Sequence, residues 1–259
     1  MPKLSVTVIT RNEAEDIADA LSSVRFADEI IVVDSRSTDD TAAIARQHTE
    51  RVVVRDWPGY IEQKNYAASI ANHDWILSVD ADERVTPALA AEIQRVLAAE
   101  PGDAAFRIPR VTFHLGRWIR TTDWYPDYQV RLYDRRHARW TGRYVHEAVT
   151  VDGTLGRLRG ELQHFAYGDI ADHLETIDRY TTLAARQMYE SGRRAGLLQI
   201  AGHPPLAFLR NYILRGGIRD GAVGFIVSAL NSYYVFLKFA KLWELEHHPA
   251  ASPQPPAPA

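Results

Sequence analysis

The sequence predicts an α/β fold, a mainly parallel sheet flanked by helices, with a C-terminal helical extension. Three observations point there. Apolar, β-branched runs alternate with segments of helical periodicity over roughly the first hundred residues, the pattern of stacked βαβ units. The runs are near-continuous, as in Glu29-Ile30-Ile31-Val32-Val33, which suits parallel strands covered on both faces. Three of them end in polar, acidic stretches: Thr10-Arg11-Asn12-Glu13, Asp34-Ser35-Arg36-Ser37 and Asp80-Ala81-Asp82-Glu83.

Leu4 to Thr10 is the first strand, rich in β-branched residues. Ile17, Ala20, Leu21 and Val24 then recur at helical spacing. Glu29 to Ser35 is the second strand, and the cap-rich stretch from Asp34 to Thr41 leads into a helix holding Ala42, Ile44 and Ala45. Arg51 to Arg55 is the third strand, Ile61 to Ala71 a helix and Trp75 to Val79 the fourth strand. Pro87 suits a first helical turn and starts a helix through Leu97. Right-handed crossovers place the ends after Thr10, Asp34 and Asp80 on one edge of the sheet. Alternation returns from Ala104 to Phe113, where Pro109 predicts an edge strand or a bend. Leu162-Gln163-His164-Phe165 reads as a strand, and Ile170 to Tyr189 as an amphipathic helix. Pro204-Pro205 starts a further helix with Arg210, Arg215 and Arg219 among its apolar residues.

Composition narrows the function. A net charge of −3 gives no basic character for nucleic acid. The absence of cysteine excludes disulfides, thiolate catalysis and Cys-based zinc sites, and is compatible with a reducing cytosol. No charged-then-apolar leader precedes the first strand, so no signal peptide is expected. The Pro/Ala-rich stretch 249–259 is expected to be disordered.

Asp80, Asp82 and Glu83 cannot sit unpaired in a buried strand, because desolvating one ionised carboxylate costs several kcal/mol. The strand must emerge at Asp80, where the carboxylates meet water or a cation; a solvated strand-to-helix turn is the simpler reading. Ligands of open α/β sheets bind at the carboxyl ends of strands. Asp-x-Asp there suits Mg²⁺ or Mn²⁺, which takes one or two carboxylates plus phosphate oxygens. Neither G-x-G-x-x-G nor a P-loop is present, and the first turn has no glycine to cradle a pyrophosphate. Carboxylates suit base N–H and ribose hydroxyl donors instead, leaving a diphosphate to a metal at Asp82. That pattern describes a nucleotide-sugar site.

Together Thr10-Arg11-Asn12-Glu13, Val32-Val33-Asp34-Ser35 with Ser37-Thr38-Asp39, Gln63-Lys64-Asn65 and Asp80-Ala81-Asp82-Glu83 resemble successive motifs of family 2 glycosyltransferases of the Rossmann-like GT-A fold. The resemblance implies that Asp34 binds the base, with Glu13 and the Thr10 backbone nearby. Asp80 would hold the ribose, and Asp82 the Mg²⁺ or Mn²⁺ on the diphosphate. Lys64 and Asn65 would line the nucleotide pocket, with Arg11 and Ser37 on the same donor side. His164 would complete the metal shell or touch the diphosphate, although a lone strand histidine is usually structural. Glu83 is expected as a supporting or helix-start carboxylate.

The stretch from Trp118 to Tyr144 is dense in Trp, Tyr and Arg, and it reads as an acceptor platform including Trp124 and Arg131, with His146 just beyond it, or else as an aromatic mini-core. Inverting transfer needs a carboxylate to take the acceptor hydroxyl proton. No Glu-Asp pair of the family's usual kind follows residue 100. Val145-His146-Glu147 resembles the motif of the lipopolysaccharide-core glucosyltransferase branch, which makes Glu147 the candidate base and Asp127 its rival. Residues 1–100 would be the nucleotide-sugar half, 101–168 the acceptor half of one domain, and 169–248 a helical region. Ala222 to Leu237 carries no charge, which fits a buried core helix or, with 204–237 as a whole, a peripheral anchor. The resemblance implies a UDP-sugar donor, a glycolipid or lipopolysaccharide-core acceptor, and a cytoplasmic enzyme at the inner face of the cytoplasmic membrane. A nucleotidyltransferase would want a Gly-rich triphosphate loop that is absent; a non-catalytic nucleotide-sugar-binding protein is the other alternative.

Overall fold

The computed structural model describes residues 2–143 and 146–248, except the side chains of Arg143 and His146. Tyr144, Val145 and the stretch 249–259 expected to be disordered lie outside the described residues. The chain forms two compact units. One comprises Met1–Val111, Asp127–Gly142 and Glu147–Phe165; the other comprises Thr112–Pro126, Arg143–His146 and Ala166–Ala259.

The first unit runs through β1 (Leu4–Thr10), α1 (Ile17–Ser23), β2 (Glu29–Asp34), α2 (Thr41–Ala45), β3 (Val52–Val54), α3 (Tyr60–Ser69), β4 (Trp75–Asp80), β5 (Glu83–Val85), α4 (Pro87–Ala98) and most of β6 (Ala105–His114). It resumes with β8 (Asp127–Asp134), β9 (Ala138–Arg143), β10 (His146–Val151), β11 (Leu155–Arg157) and β12 (Leu162–His164), after β7 (Arg117–Ile119) in the other unit. The strand order is β3-β2-β1-β4-β8-β6-β12-β5, with β11 also on β6 and with β9 and β10 as a separate pair.

β1 is buried at all seven positions because it pairs in parallel with both β2 and β4. Successive residues face opposite sides. Val6, Val8, Val32, Leu77 and Val79 join one core with α1 and α4, whereas Ile9, Ile31, Val33 and Ile76 join another with α3 and Trp140. The register sets Thr10 opposite Asp34 and Ile9 opposite Asp80, so the three strands end level. α4 starts where the Thr86 side chain accepts the Leu89 N–H and Pro87 occupies the first turn.

Two expectations need correction here. Pro109 marks no edge: β6 lies between β8 and β12, and its irregularity falls at Phe106/Arg107. Glu83 opens no helix. It begins β5, antiparallel to β12 with His164 opposite it, and is fully buried.

In the second unit, the end of β6 turns at Leu115-Gly116, both at positive φ, into β7, as a two-residue hairpin requires. After a 3₁₀ turn at Thr122–Trp124 come α5 (Ile170–Glu190), α6 (Leu197–Leu209), a π-helical turn at Arg210–Leu214, a 3₁₀ turn at Gly217–Asp220 and α7 (Gly221–His247). Pro204 and Pro205 lie inside α6 rather than at its start. The helix begins earlier because Gln199 Oε1 reaches back to accept the Gly196 N–H. α7 packs on α5 and α6, and Gly224 lies so close to Gly217 that an added Cβ would sit 1.8 Å from the Gly217 oxygen. The apolar window of Gly217–His247 is 17% buried, and most of residues 222–237 are half-buried.

Candidate active site

The level ends of β1, β2 and β4 collect the acidic residues, and the loops there are held by side-chain-to-backbone bonds. Asp34 is 1% exposed, and its carboxylate accepts the Ser37 N–H at 3.0 Å and the Ser37 hydroxyl. Ser37 Oγ accepts the Asn12 N–H, Asn12 Oδ1 accepts the Thr38 N–H, and Thr41 Oγ1 accepts the Glu13 N–H. Asn12 and Arg36 take up positive φ in these turns. Ser37, expected on the donor, therefore holds the Asp34 carboxylate in place. Thr10 Oγ1 is buried with no hydrogen-bond partner among the described residues. Arg11 follows it in the turn after β1.

Burial pushes the Glu13 carboxyl up to about 8, and Asp82, Asp16, Asp39 and Asp80 push the same way. Negative charge is therefore crowded at this edge, second to burial as the cause of the shift. Asp82 Oδ2 lies 3.1 Å from His164 Nε2, because β12 runs beside β5 and the Phe165 N–H donates to the Asp82 carbonyl. Burial opposes ionisation of Asp82, but His164 outweighs it and holds the carboxyl below its usual range. No three His, Asp or Glu side chains form a ready metal cage among the described residues. Mg²⁺ and Mn²⁺ that also bind substrate phosphates need only one or two protein ligands, so Asp82 and His164 fit such an ion.

Behind this edge runs a line of alternating charges. Lys64, on α3 and 3% exposed, lies 3.1 Å from Glu147 Oε1 and 3.2 Å from Asp80 Oδ1, with its ammonium 4.3 Å from the Trp140 ring centre. Arg131 Nη2 donates to Asp80 Oδ2 at 2.5 Å and to Glu83 Oε1 at 2.7 Å. Arg110 donates to Glu83 Oε1 at 3.2 Å and to Asp127 Oδ2 at 2.7 Å. The line reads Glu147, Lys64, Asp80, Arg131, Glu83, Arg110, Asp127. Burial alone would raise the Asp80 pKa, but Arg131 and Lys64 prevail and hold it far below the carboxylate range. Glu83 also accepts the Asp80 N–H, so the three carboxylates of the motif divide: Glu83 meets arginines, Asp80 meets Lys64 and Arg131, and Asp82 meets His164.

Several expected residues stand elsewhere. Arg131 is buried against Asp80 and Glu83, not presented on a platform, because it points inward from a strand enclosed by β4 and β6. Asn65 does not present a free amide to a nucleotide: its Nδ2 donates to the Trp140 carbonyl and its Oδ1 accepts the Trp140 N–H, tying α3 to β9. Asp127, the rival base, has one oxygen on Arg110 and the other on Gln129. Glu147 keeps Oε2 buried and without a partner among the described residues. Trp124 belongs to the second unit, where its indole N–H donates to Asn231 Oδ1 and its ring lies among those of His114, Tyr167 and His173. The His146 side chain lies outside the described residues. Glu83 takes the supporting place expected of it; Arg110 escaped the sequence reading, although an arginine between Pro109 and Val111 in a largely apolar strand was the available sign. A hollow of about 440 Å³ lined by Trp75, Glu100, Asp134 and His137 lies at the opposite, amino end of β4 and involves none of these residues.

The comparisons with known proteins bear on this geometry. The family model for glycosyl transferase family 2 matches residues 5–152. The lipopolysaccharide core biosynthesis glycosyltransferase LpsC of Rhizobium meliloti (strain 1021) is 32% identical over 253 residues, 94% of each chain. An uncharacterised glycosyltransferase of Rickettsia felis is 31% identical, covering 94% of this chain and 90% of that one. Among solved structures, the mannosyltransferase PcManGT of Pyrobaculum calidifontis, in complex with GDP-Man and Mn²⁺, superposes with a TM-score of 0.55 at 14% identity, covering 93% of this chain and 87% of that one. That likeness establishes the GT-A fold. The sequence matches go further, since the family model spans more than half of the chain, including every strand that carries the acidic edge: the chain belongs to glycosyl transferase family 2.

Proposed function

We propose that this glycosyltransferase inverts the anomeric centre of a hexose, glucose by family resemblance, as it moves it from a UDP-sugar to a lipid-linked or lipopolysaccharide-core hydroxyl. The observation that carries this reading is the common edge formed by Asp34, Asp80 and Asp82 with His164. Asp34 receives the base, Glu13 and Thr10 lie beside it, and Asp80 meets the ribose. Asp82 and His164 would hold Mg²⁺ or Mn²⁺, and the ion would supply positive charge to offset the negative charge growing on the UDP leaving group. The acceptor oxygen forms its bond to the anomeric carbon as the bond to the diphosphate oxygen breaks, and the electron pair leaves with UDP. The Glu147 carboxylate takes the acceptor proton while Lys64 holds its Oε1. Asp127 serves less well as base, since Arg110 and Gln129 engage both its oxygens.

Two named relatives support the finer points. LpsC is described as a lipopolysaccharide core enzyme, which suits a glycolipid acceptor and a cytoplasmic enzyme at the inner face of the cytoplasmic membrane. PcManGT is described with GDP-Man and Mn²⁺, which supports a metal-bound nucleotide sugar but pairs it with a guanine base. A thermal-shift panel of UDP- and GDP-sugars with and without Mn²⁺ tests the donor, because a ligand of the folded state raises stability by mass action. Stabilisation by UDP-sugars only when Mn²⁺ is present is the expected result. A response confined to GDP-sugars, or indifferent to Mn²⁺, overturns the corresponding part.

A further inference from the structure

We propose that the outer face of α6 lies flat on an anionic phospholipid surface, with α7 behind it rather than across the bilayer. The inference deepens the membrane side of the proposed function and rests on that reading for the compartment alone. Leu198, Leu206, Leu209 and Ile213 recur at helical spacing and are 85%, 64%, 52% and 52% exposed, on the side away from the buried Pro204 and Asn211. Leu197, Leu214 and Ile218 extend the same hydrocarbon at the two ends. A run of exposed aliphatic side chains on this scale is uncommon on a free soluble monomer and marks a contact surface.

Charge identifies the occupant. Residues 191–219 carry five arginines, Arg193, Arg194, Arg210, Arg215 and Arg219, and no Asp or Glu. Arg210 and Arg215 reach Asp123 at 3.0 and 3.4 Å yet remain 57% and 50% exposed. Aliphatic side chains bordered by arginines match an acyl layer beneath phosphate headgroups. A second copy of the chain is a poorer occupant. A twofold contact would set these arginines against their equivalents with no acidic residue in the segment to meet them.

By length and composition Gly217–His247 could itself cross a membrane. Its polar ties argue against that. Lys241 Nζ donates to Asp178 and to the hydroxyls of Thr181 and Thr182 on α5. Glu246 accepts the Ala195 N–H, and Asn231 bonds both Trp124 and Asn211. These bonds run along most of α7 and would all break on insertion, leaving polar groups in hydrocarbon.

Flotation of the full-length protein with vesicles of phosphatidylcholine, alone or mixed with phosphatidylglycerol, tests the proposal. The expected result is binding to the anionic vesicles that weakens as salt rises. The double variant Leu198→Glu/Leu206→Glu should bind at least about tenfold less, the effect of 1.4 kcal/mol or more of lost apolar contact. The triple variant Arg193→Gln/Arg194→Gln/Arg219→Gln should lose the preference for phosphatidylglycerol. These side chains are exposed, and an unchanged melting temperature confirms that each variant is folded. Undiminished binding by the double variant overturns the proposal, as does resistance to alkaline carbonate extraction, which would make α7 a crossing helix. Light scattering that shows a dimer dissolved by the double variant would assign the face to a second copy instead. Metal-dependent hydrolysis of UDP-sugar by the same variants reads out the proposed chemistry separately, so either idea can fail alone.

Discussion

In the first unit Lys64, Arg131 and Glu83 are withdrawn almost entirely from water, whereas in the second Leu197, Leu198 and Leu214 face it nearly bare. Both arrangements run against the usual partition of residues, but they are tolerated for different reasons. Buried charge persists in the first unit because each ion touches an opposite one, from Glu147 to Asp127. Exposed hydrocarbon persists in the second with no such internal compensation. The first anomaly is complete within the chain and serves to hold carboxylates in position; the second calls for something outside it.

That contrast can be broken at either end. The largest effect is expected from Asp82→Ala, which should lower kcat/KM by about 10³-fold or more, several kcal/mol of charge stabilisation, and abolish stabilisation by Mn²⁺ with UDP-sugar. Retained activity would remove the metal from Asp82. Glu147→Gln should leave donor affinity within a few-fold while kcat falls by about 10²- to 10⁴-fold. Asp127→Asn should change kcat by less than about tenfold, and a collapse there would move the base to Asp127. Arg131→Met leaves Asp80 and Glu83 buried against too little positive charge, and urea unfolding should show a loss of roughly 3–5 kcal/mol.

The second unit has its own titrating group. Burial pushes the buried His173 imidazole down to about 4, and His114, whose Nε2 lies 3.3 Å from His173 Nδ1, acts in the same sense. A base depressed in the folded state gives stability that is full above its unfolded pKa near 6.5 and is lost as pH falls towards 4. The loss is on the order of 3 kcal/mol across that window. His173→Phe, which can keep the stack on Tyr167, should flatten this part of the acid-unfolding curve. An unchanged slope would assign the acid sensitivity elsewhere. Gly224→Ala should cost about 3 kcal/mol in urea unfolding, the upper end of overpacking penalties, because the added Cβ meets the Gly217 backbone oxygen, which cannot swing aside.

How far the chain could be read from its residues divides along the same line. β1, β2 and β4 were legible because covered parallel strands are apolar throughout and stop at polar caps, and this also exposed Asp34, Asp80 and Asp82. Arg131 was misjudged since its partners lie 48 and 51 residues away, and composition alone cannot tell a presented arginine from one folded inward. Asn65 looked like a pocket residue because nothing local announces that it bonds the backbone of Trp140, 75 residues on. Pro204-Pro205 suggested a helix start, yet Gly196 and Gln199 supplied one earlier. Local rules place element ends well; which side chains meet across the fold is decided by register, which the local pattern leaves open.

The line from Glu147 to Asp127 holds four carboxylates and three cations, each inner member shared by two neighbours. An engineer seeking a new donor or acceptor specificity would therefore find the five inner positions poor targets for one-at-a-time randomisation. Replacing one of the five inner links strands the ions on both sides, so many single variants there would be lost to misfolding before any activity could be screened. Paired exchanges, such as Arg131 together with Glu83, keep the alternation, and their effects should differ from the sum of the single changes by kilocalories rather than tenths. Libraries built on neighbouring pairs would reach catalysts that single-site scanning discards.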